Sequence, residues 1–292
     1  MREVIVRLVG GLGNQMFQYA AGCAVAVRNQ APLTLDLSWF GTDPDRQYAL
    51  APFRIDAGTR KDQVPKSARP SLTQRVAGRV RRTLNLPSQG VPVFTEKSFR
   101  YDDEIESISA PVILAGHFQS ERYFDTIKPR ISEEFLLKHE ATGATAEMLD
   151  LIRASDAICV HLRRGDYITN SEANAYHGTC SLEYYRDGLA EVCAGLNNPR
   201  CFVFSDDPQW VRENFETSLP MTLVDIHGTH EAHEDLRLMR ECRHFVIANS
   251  SLSWWGAWLG TSQDKRVVAP KFWFKTNKND TSDLIPAGWR RI

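Results

Sequence analysis

The sequence predicts an α/β protein with two doubly wound domains, and three observations support this fold class. Short apolar runs alternate with helical segments in both halves of the 292-residue chain. The first run, Glu3–Val9, is apolar at nearly every position, which is typical of a parallel strand buried on both faces. Turns of glycine or short polar residues follow several of these runs directly, as they do in βαβ units. The composition becomes polar around residues 138–150, so we predict domains at 1–145 and 146–292.

The first half opens with a strand, a glycine-rich turn, a helix and a second strand. Its predicted strands are 3–9, 33–37 and 112–115, and its predicted helices are 16–27, 123–137 with a break at Pro129, and 145–155. Residues 59–92 are polar, basic and rich in proline, so we expect an irregular insertion with one short helix there.

The second half repeats the alternation. Its predicted strands are 157–161, 201–205, 222–224, 244–248 and 266–269, and its predicted helices are 181–194, 208–215, 234–243 and 253–259. Ser181 is the expected N-cap of the first of these helices, because serine oxygen accepts from free amides at a helix start.

The composition narrows the class of protein. With 42% hydrophobic residues, 24% charged residues and a net charge of −1, the chain lacks the basic excess usual in duplex-binding proteins. Its opening residues lack the apolar core of a secretory signal, and no apolar run approaches the roughly 18 residues of a membrane span. Six cysteines without a CxxC pair or zinc spacing indicate free thiols. We therefore expect a cytoplasmic protein without a metal or cofactor.

Paired arginines after the predicted strand 157–161 are the most informative feature. Arg163 and Arg164 follow that strand directly, and ligands of open α/β sheets bind beyond the carboxyl ends of the strands. Planar guanidinium forks match phosphate oxygens, and Asp166 is placed to orient one of them. The pattern favours a pyrophosphate site, with a solvated surface pair as the alternative.

Three further polar segments each have two interpretations. The turn Gly10–Gln15 lacks the third glycine of a dinucleotide fingerprint, and it either offers free amides to an anion or sugar hydroxyl or is an ordinary tight turn. Ser205, Asp206 and Asp207 end a strand, where they bind a metal, ribose or sugar, or cap the next helix. The basic cluster Arg75, Arg79, Arg81 and Arg82 contacts anionic lipid or nucleic acid, or is a solvated helix face.

The segment after the predicted strand 244–248 combines small hydroxyl residues with tryptophans. Asn249, Ser250 and Ser251 stand at a helix start, where side-chain and backbone hydrogens can be donated to phosphate. Trp254, Trp255 and Trp258 are expected to belong to the core.

Five motifs occur in the order Gly10–Gln18, Gly116–Glu121, His161–Tyr167, Phe204–Asp207 and Asn249–Trp258. Together they resemble the bacterial α-1,2-fucosyltransferases of glycosyltransferase family 11. The resemblance implies a GT-B fold, in which two Rossmann-like doubly wound domains face each other across a cleft. The first domain would be the acceptor side and the second would bind GDP-fucose. It also implies transfer of L-fucose from GDP-β-L-fucose, with inversion and without a metal ion, to the galactose 2-OH of an O-antigen unit, a polysaccharide unit or a lactose-type acceptor.

The resemblance also assigns expected roles to residues. Arg163 would hold the pyrophosphate and stabilise the departing GDP, His161 would seat the nucleotide, and Asp235 would read the guanine edge. Asn14 would face the fucose, and Asp36 and His117 are candidates for the base, although the family has Tyr or Trp at the position of His117. The leaving phosphate is another candidate base. The remaining expected substrate contacts are Gly11, Gly13, Gln15, Arg164, Asp166, Ser205, Asp206, Asp207, Asn249, Ser250, Ser251 and Leu252.

Two alternatives stay open at this point. The same cleft would serve a non-catalytic nucleotide-sugar or glycan-binding protein, or an enzyme that uses another GDP-sugar or links fucose to protein. The expected partners are GDP-fucose, as the donor substrate rather than a cofactor, and a galactose-containing glycan, with no nucleic acid. Peripheral contact with the inner membrane through a lipid-linked acceptor is left open.

Overall fold

A computed structural model describes residues 2–43, 46–61, 90–165, 176, 178–228, 230–276 and 279–292. The chain divides into two compact units. The first contains Met1–Ala51 and Ile55–Ile131, and the second contains Pro52–Arg54 and Ser132–Ile292. The second unit therefore begins ahead of the predicted boundary at 145/146. The reason is that Phe135 packs edge-on against Phe53 and Trp255, at centroid distances of 5.7 and 5.1 Å, so this segment belongs to the second core.

The first unit is built on a sheet of five parallel strands in the order β3-β2-β1-β5-β4. The strands are β1 (Val4–Arg7), β2 (Leu33–Asp36), β3 (Gly58–Arg60), β4 (Val93–Thr95) and β5 (Val112–Ala115). The chain runs outward from β1 to β3 and returns on the other side through β4 and β5. The strand order therefore reverses between β1 and β5, and their carboxyl ends form the topological switch point at which such sheets bind ligands.

Helix α1 (Leu12–Asn29) is longer than the predicted helix 16–27 and is buried along most of its length. Its Gly22 lets it lie close to the sheet, because a Cβ there would stand 2.9 Å from Val6 Cγ2 and 3.1 Å from Leu33 Cδ1. The predicted helix 123–137 is instead two 3₁₀ turns (Glu121–Tyr123 and Asp125–Ile127) followed by α2 (Lys128–Glu134). Pro129 lies in the first turn of α2, where its missing N–H costs no hydrogen bond.

The second unit is built on a sheet of six parallel strands in the order β11-β10-β9-β6-β7-β8. The strands are β6 (Asp156–Leu162), β7 (Pro199–Ser205), β8 (Met221–Val224), β9 (His244–Val246), β10 (Val267–Ala269) and β11 (Arg290–Arg291). The helices in the described part of this unit are α3 (Gly143–Arg153), α4 (Leu182–Cys193), α5 (Pro208–Asn214), α6 (Ala232–Glu241) and α7 (Ser251–Leu259). Here the order reverses between β6 and β9, which makes the carboxyl ends of these two strands the switch point.

The predicted fold class, two doubly wound Rossmann-like α/β units as in GT-B proteins, is confirmed in the two parallel sheets. The predicted core tryptophans are buried, and Trp254 donates its indole N–H to Leu284 O at 2.9 Å. Ser181 caps α4 by accepting from Tyr184 N, and the six cysteines are free thiols, as predicted.

The prediction of an irregular insertion at 59–92 is partly wrong, because the first residues of this segment belong to β3. Arg75, Arg79, Arg81 and Arg82 lie outside the described residues. No helix in the described part of the chain has the length and hydropathy of a membrane-spanning segment.

Candidate functional site

The carboxyl edge of the second sheet brings together the loops that follow β6, β7 and β9. Leu162 of β6 pairs with Ser205 of β7, and Val160 of β6 pairs with Val246 of β9. The three motifs that begin at His161, Phe204 and Asn249 are therefore neighbours at the switch point of this sheet, although they are far apart along the chain.

Asp206 organises the paired arginines. Its Oδ2 is 3.0 Å from Arg163 Nη1, and its Oδ1 accepts the backbone N–H of Arg164 at 2.8 Å. Gly165 allows this approach, because a Cβ there would stand 2.6 Å from Asp206 Oδ2. Asp166, predicted to orient a guanidinium, lies outside the described residues. A carboxylate that contacts both arginine positions fixes the cationic group at the end of β6.

The second arginine is held by an acid and a ring. Arg164 Nε lies 3.5 Å from Asp207 Oδ2, and its guanidinium carbon lies 3.6 Å from the centre of the Trp210 ring. Asp207 also accepts the backbone N–H of Trp210 at 3.1 Å and so caps α5, while Ser205 Oγ accepts from Asp207 N at 3.0 Å. The capping interpretation therefore holds for Asp207, whereas Asp206 is paired with Arg163.

His161 is the second-last residue of β6 and precedes the arginine pair. Its side chain is buried, and burial lowers its pKa to about 4, with Arg163 acting in the same direction and Asp206 against it. The ring is therefore neutral at pH 7. Within the described residues, no hydrogen-bond partner reaches its Nδ1.

The loop after β9 combines an anchor with a helix start. Asn249 donates from Nδ2 to Gly178 O at 3.1 Å and to Trp273 O at 3.2 Å, so its amide ties together two segments beside the site. Ser250 is the N-cap residue of α7, although its side chain makes no capping bond, and Ser251 and Leu252 are partly exposed in the first turn. Ser251 and Leu252 are therefore accessible to a ligand, while Asn249 is occupied by the protein.

Asp235 lies in the first turn of α6, at the same edge of the sheet. Its Oδ1 is 2.7 Å from His227 Nδ1, and His227 Nε2 is 2.8 Å from Thr145 Oγ1. Sequence reasoning named Asp235 and missed His227 and Thr145, since the three residues come from separate elements.

Amide side chains join the loops at the switch point of the first sheet. Gln119 Nε2 donates to Asn14 Oδ1 at 2.9 Å, which joins the turn after β1 to the loop after β5. Gln18 spans the same gap, because it accepts from Val9 N at 2.9 Å and donates to Gly116 O at 3.2 Å. The predicted sugar-facing residue Asn14 is thus fixed by hydrogen bonds within the unit.

The glycine-rich turn itself is tightly held. Gly10 adopts a φ of +77°, and its space for a Cβ is closed by Asn14 Nδ2 at 2.7 Å. Gly11 is the N-cap of α1, and Gly13 is buried in its first turn. Gln15, predicted to contact substrate, is fully buried and donates to Gly10 O and Gln47 O, both at 2.9 Å. Its amide therefore serves the fold of this turn.

Glu96 is a residue of this region that sequence reasoning missed. It follows β4 directly, and its two carboxylate oxygens accept the backbone N–H groups of His117 at 2.7 Å and Phe118 at 3.0 Å. Burial raises its pKa, while these two hydrogen bonds act in the opposite direction. Phe118 has a φ of +52°, which a bulky residue rarely adopts, so Glu96 helps to hold a strained loop.

The two candidate bases have different environments. His117 is partly exposed, stacks on Phe99 at a centroid distance of 5.9 Å, and has its pKa lowered by burial. Asp36 is buried, accepts from Ser38 N at 3.0 Å and lies 3.9 Å from Arg7 Nε. Of the two, only His117 presents surface to a ligand. Their catalytic roles stay predictions.

Paired arginines at the switch point of a doubly wound parallel sheet suit a phosphate-bearing ligand, and comparison with known proteins shows that the class is that of glycosyltransferases. The pattern of glycosyl transferase family 11 matches residues 96–292. The α-1,2-colitosyltransferase of Escherichia coli is 35% identical over 100% of this chain and 99% of its own length. The chain therefore belongs to glycosyltransferase family 11.

Two further relatives match most of this chain. The O-antigen biosynthesis glycosyltransferase WbnK of Escherichia coli is 30% identical over 97% of this chain and 98% of its own. The galactoside α-(1,2)-fucosyltransferase 2 of Sus scrofa is 25% identical over 87% of this chain and 68% of its own.

Proposed function

We propose that this glycosyltransferase moves L-fucose from GDP-β-L-fucose to the 2-hydroxyl of a galactose in an O-antigen or polysaccharide unit, with inversion and without a metal ion. The observation that carries the proposal is Arg163, fixed by Asp206 at the switch point of the second sheet. The second unit then binds the donor, and the first unit binds the acceptor side.

The chemistry explains why a fixed cation is needed there. When the bond from the sugar C1 to the phosphate oxygen breaks, negative charge grows on the β-phosphate of GDP while the sugar takes on oxocarbenium character. A guanidinium already oriented toward that phosphate stabilises the transition state more than the ground state. Asp206 supplies the orientation. A guanidinium carries five N–H donors, more than one carboxylate can accept, so its pairing with Asp206 is compatible with phosphate binding.

The acceptor hydroxyl attacks C1 from the opposite face and loses its proton. His117 is our first candidate to accept that proton, because its lowered pKa keeps the ring neutral at pH 7. Asn14 and the Gly11–Gly13 turn offer neutral donors and acceptors, which suit sugar hydroxyls better than phosphate.

The relatives support the linkage and the acceptor class. A 1,2 linkage is named for both the colitosyltransferase and the fucosyltransferase, and O-antigen biosynthesis is named for WbnK. A second candidate is transfer of colitose, because the colitosyltransferase matches this chain over its whole length. Fucose and colitose differ by the hydroxyl at C3, so one donor site can be tested with both.

A donor and acceptor screen tests the proposal. The purified chain is incubated with GDP-fucose, GDP-colitose, GDP-mannose or UDP-galactose and a panel of β-galactosides, and products are identified by mass spectrometry and NMR. We expect an α-1,2-fucosyl galactoside, formed equally well with EDTA. Faster transfer of colitose would select the second candidate.

Other outcomes of the screen would contradict the proposal. Tight GDP binding without product from any galactoside would indicate a non-catalytic binding protein. Fucose linked to a peptide would change the acceptor class, and EDTA inhibition that a divalent metal reverses would refute the metal-free reaction.

A further inference from the structure

The carboxylates at the carboxyl edge of the second sheet differ in their partners. Five described ones are engaged by an arginine or a backbone amide: Asp206 by Arg163, Asp207 by Arg164, Asp225 by Arg212, Glu231 by Gly228 N and Glu234 by Arg237. In this described set, Asp235 is oriented by His227 at 2.7 Å, whereas His233 stands 3.8 Å from Glu234, which Arg237 already engages. Its side chain is 30% exposed, so the carboxylate is both held and accessible.

A chain of two hydrogen bonds holds Asp235. An ionised carboxylate only accepts, so the proton between Asp235 and His227 belongs to His227 Nδ1. Nε2 at the other end of the ring lies 2.8 Å from Thr145 Oγ1, a hydroxyl that can donate or accept. The His227 side chain is only 5% exposed. Contacts at both ring nitrogens therefore fix the direction of the ring.

This arrangement suits a base with two adjacent donors. Guanine presents N1–H and its 2-amino group side by side, and a carboxylate accepts from both, whereas uracil and adenine present no such pair. An arginine partner would take up the carboxylate's oxygens and offset its charge, while one imidazole N–H orients it and leaves acceptor sites open.

We propose that His227, held by Thr145, is a positioning residue that orients Asp235 toward the guanine of the donor and so sets base specificity. This inference rests on the proposed function, because it takes a GDP-sugar as the donor. Neither His227 nor Thr145 touches the reacting atoms in this scheme. Their loss should weaken donor binding while leaving the chemical step largely intact.

Two amide substitutions of His227 test the contacts of its two ring nitrogens separately. In His227→Asn the amide nitrogen takes the place of Nδ1 and still donates to Asp235. In His227→Gln it reaches the place of Nε2 and leaves Asp235 without its donor. Thr145→Val and Thr145→Ser form a second pair, in which the hydroxyl is removed or kept.

Calorimetric titration of the full chain with GDP, IDP and UDP gives the decisive readout, because IDP lacks the 2-amino group. We expect the wild type to prefer GDP to IDP by about tenfold, the size of one hydrogen bond to a charged group. In His227→Gln the GDP affinity falls about tenfold and the GDP/IDP ratio approaches one, while His227→Asn restores most of both. The donor KM rises in the Gln variant, and kcat stays within about twofold.

Three results would overturn the inference. Wild-type GDP affinity and GDP/IDP ratio in His227→Gln would show that Asp235 needs no positioning. Equal losses in the Asn and Gln variants, with lowered melting temperatures in both, would restrict His227 to a structural role. A wild-type protein that binds UDP more tightly than GDP would refute the donor assignment as well, and this failure is distinguishable because it appears without any substitution.

Discussion

The two units place loops at the same topological position but line them with different side chains. Each sheet reverses its strand order beside its first strand, at β1/β5 in the first unit and at β6/β9 in the second. The second switch point carries Arg163, Arg164 and Asp206, whereas the first carries the amides of Asn14 and Gln119. The topology thus determines where a ligand binds, and the side chains determine which class of ligand it is.

One carboxylate at each switch point follows the same division. In the second unit, Asp206 serves an arginine side chain and one backbone amide. In the first unit, Glu96 serves two backbone amides and so shapes a loop. An acid in the second unit orients a charge, while an acid in the first unit orients the chain that presents neutral groups. We therefore expect substitutions at the second switch point to lower the rate of transfer and substitutions at the first to weaken the use of the acceptor.

The largest expected effect is at Arg163. Replacing it with alanine removes the cation at the leaving phosphate and leaves Asp206 without this partner, so we expect kcat to fall by about a thousandfold. Lysine should recover only part of the rate, because it cannot bind a phosphate with a planar fork. Single-turnover rates measure the loss, and thermal melting checks the fold.

Arg212→Ala is the matched control for this prediction. Arg212 forms an exposed ion pair with Asp225 in the same unit, and such pairs contribute little. Turnover near that of the wild type in Arg163→Ala would exclude the assigned role.

A smaller effect is expected in the pH dependence of stability. The pKa of His161 is lowered to about 4 in the folded chain from 6.5, so the unfolded chain binds more protons between these values. Its contribution is fully present above pH 6.5 and is lost as the pH falls toward 4, and it amounts to about 2 kcal/mol between pH 7 and 5. His161→Gln should flatten this dependence, whatever its effect on stability at pH 7.

Tryptophan fluorescence is the measurement for this prediction. Trp39 is in the first unit and the other six of the seven tryptophans are in the second, so urea unfolding followed by fluorescence reports mainly on the unit that contains His161. Parallel pH profiles for the wild type and His161→Gln would show that the buried ring does not titrate as described.

Sequence reasoning succeeded where the local pattern carries the information. The strands of the second sheet from β6 to β10 were predicted, because they are mostly apolar and end in polar turns. Three strands were missed: β3, β4 and β11 are two or three residues long and largely exposed or half-buried. Because β4 was not predicted, the sequence did not show that Glu96 directly follows a strand, and nothing distinguished it from surface acids.

The arrangement of the site depends on register, which a single sequence does not show. Asp166 was the expected partner of the arginines because it is close in sequence. Asp206 reaches Arg163 because Leu162 and Ser205 are paired across two strands. The contact from Thr145 to His227 likewise joins α3 to the loop after β8. Motif positions were therefore predictable, whereas the acids that orient them were not.

The smallest expected effect tests the first unit. In Glu96→Gln the amide group would face a backbone N–H that now donates to a carboxylate oxygen, so at least one hydrogen bond to His117 or Phe118 is lost. We expect kcat/KM for the acceptor to fall about tenfold, because the loop that carries His117 shifts. The GDP affinity should be unchanged, since the proposed donor site lies in the second unit.

Initial rates against acceptor and donor, together with GDP titration, measure the two effects separately. Glu104→Gln is the matched control, since Glu104 is exposed and pairs with Lys97 in the same unit. If kcat/KM for the acceptor is unaltered in Glu96→Gln, the loop that carries His117 does not belong to the acceptor site. A parallel loss of GDP affinity would contradict the assignment of the acceptor to the first unit and of the donor to the second. A substitution at Glu96 would then have affected GDP binding as well.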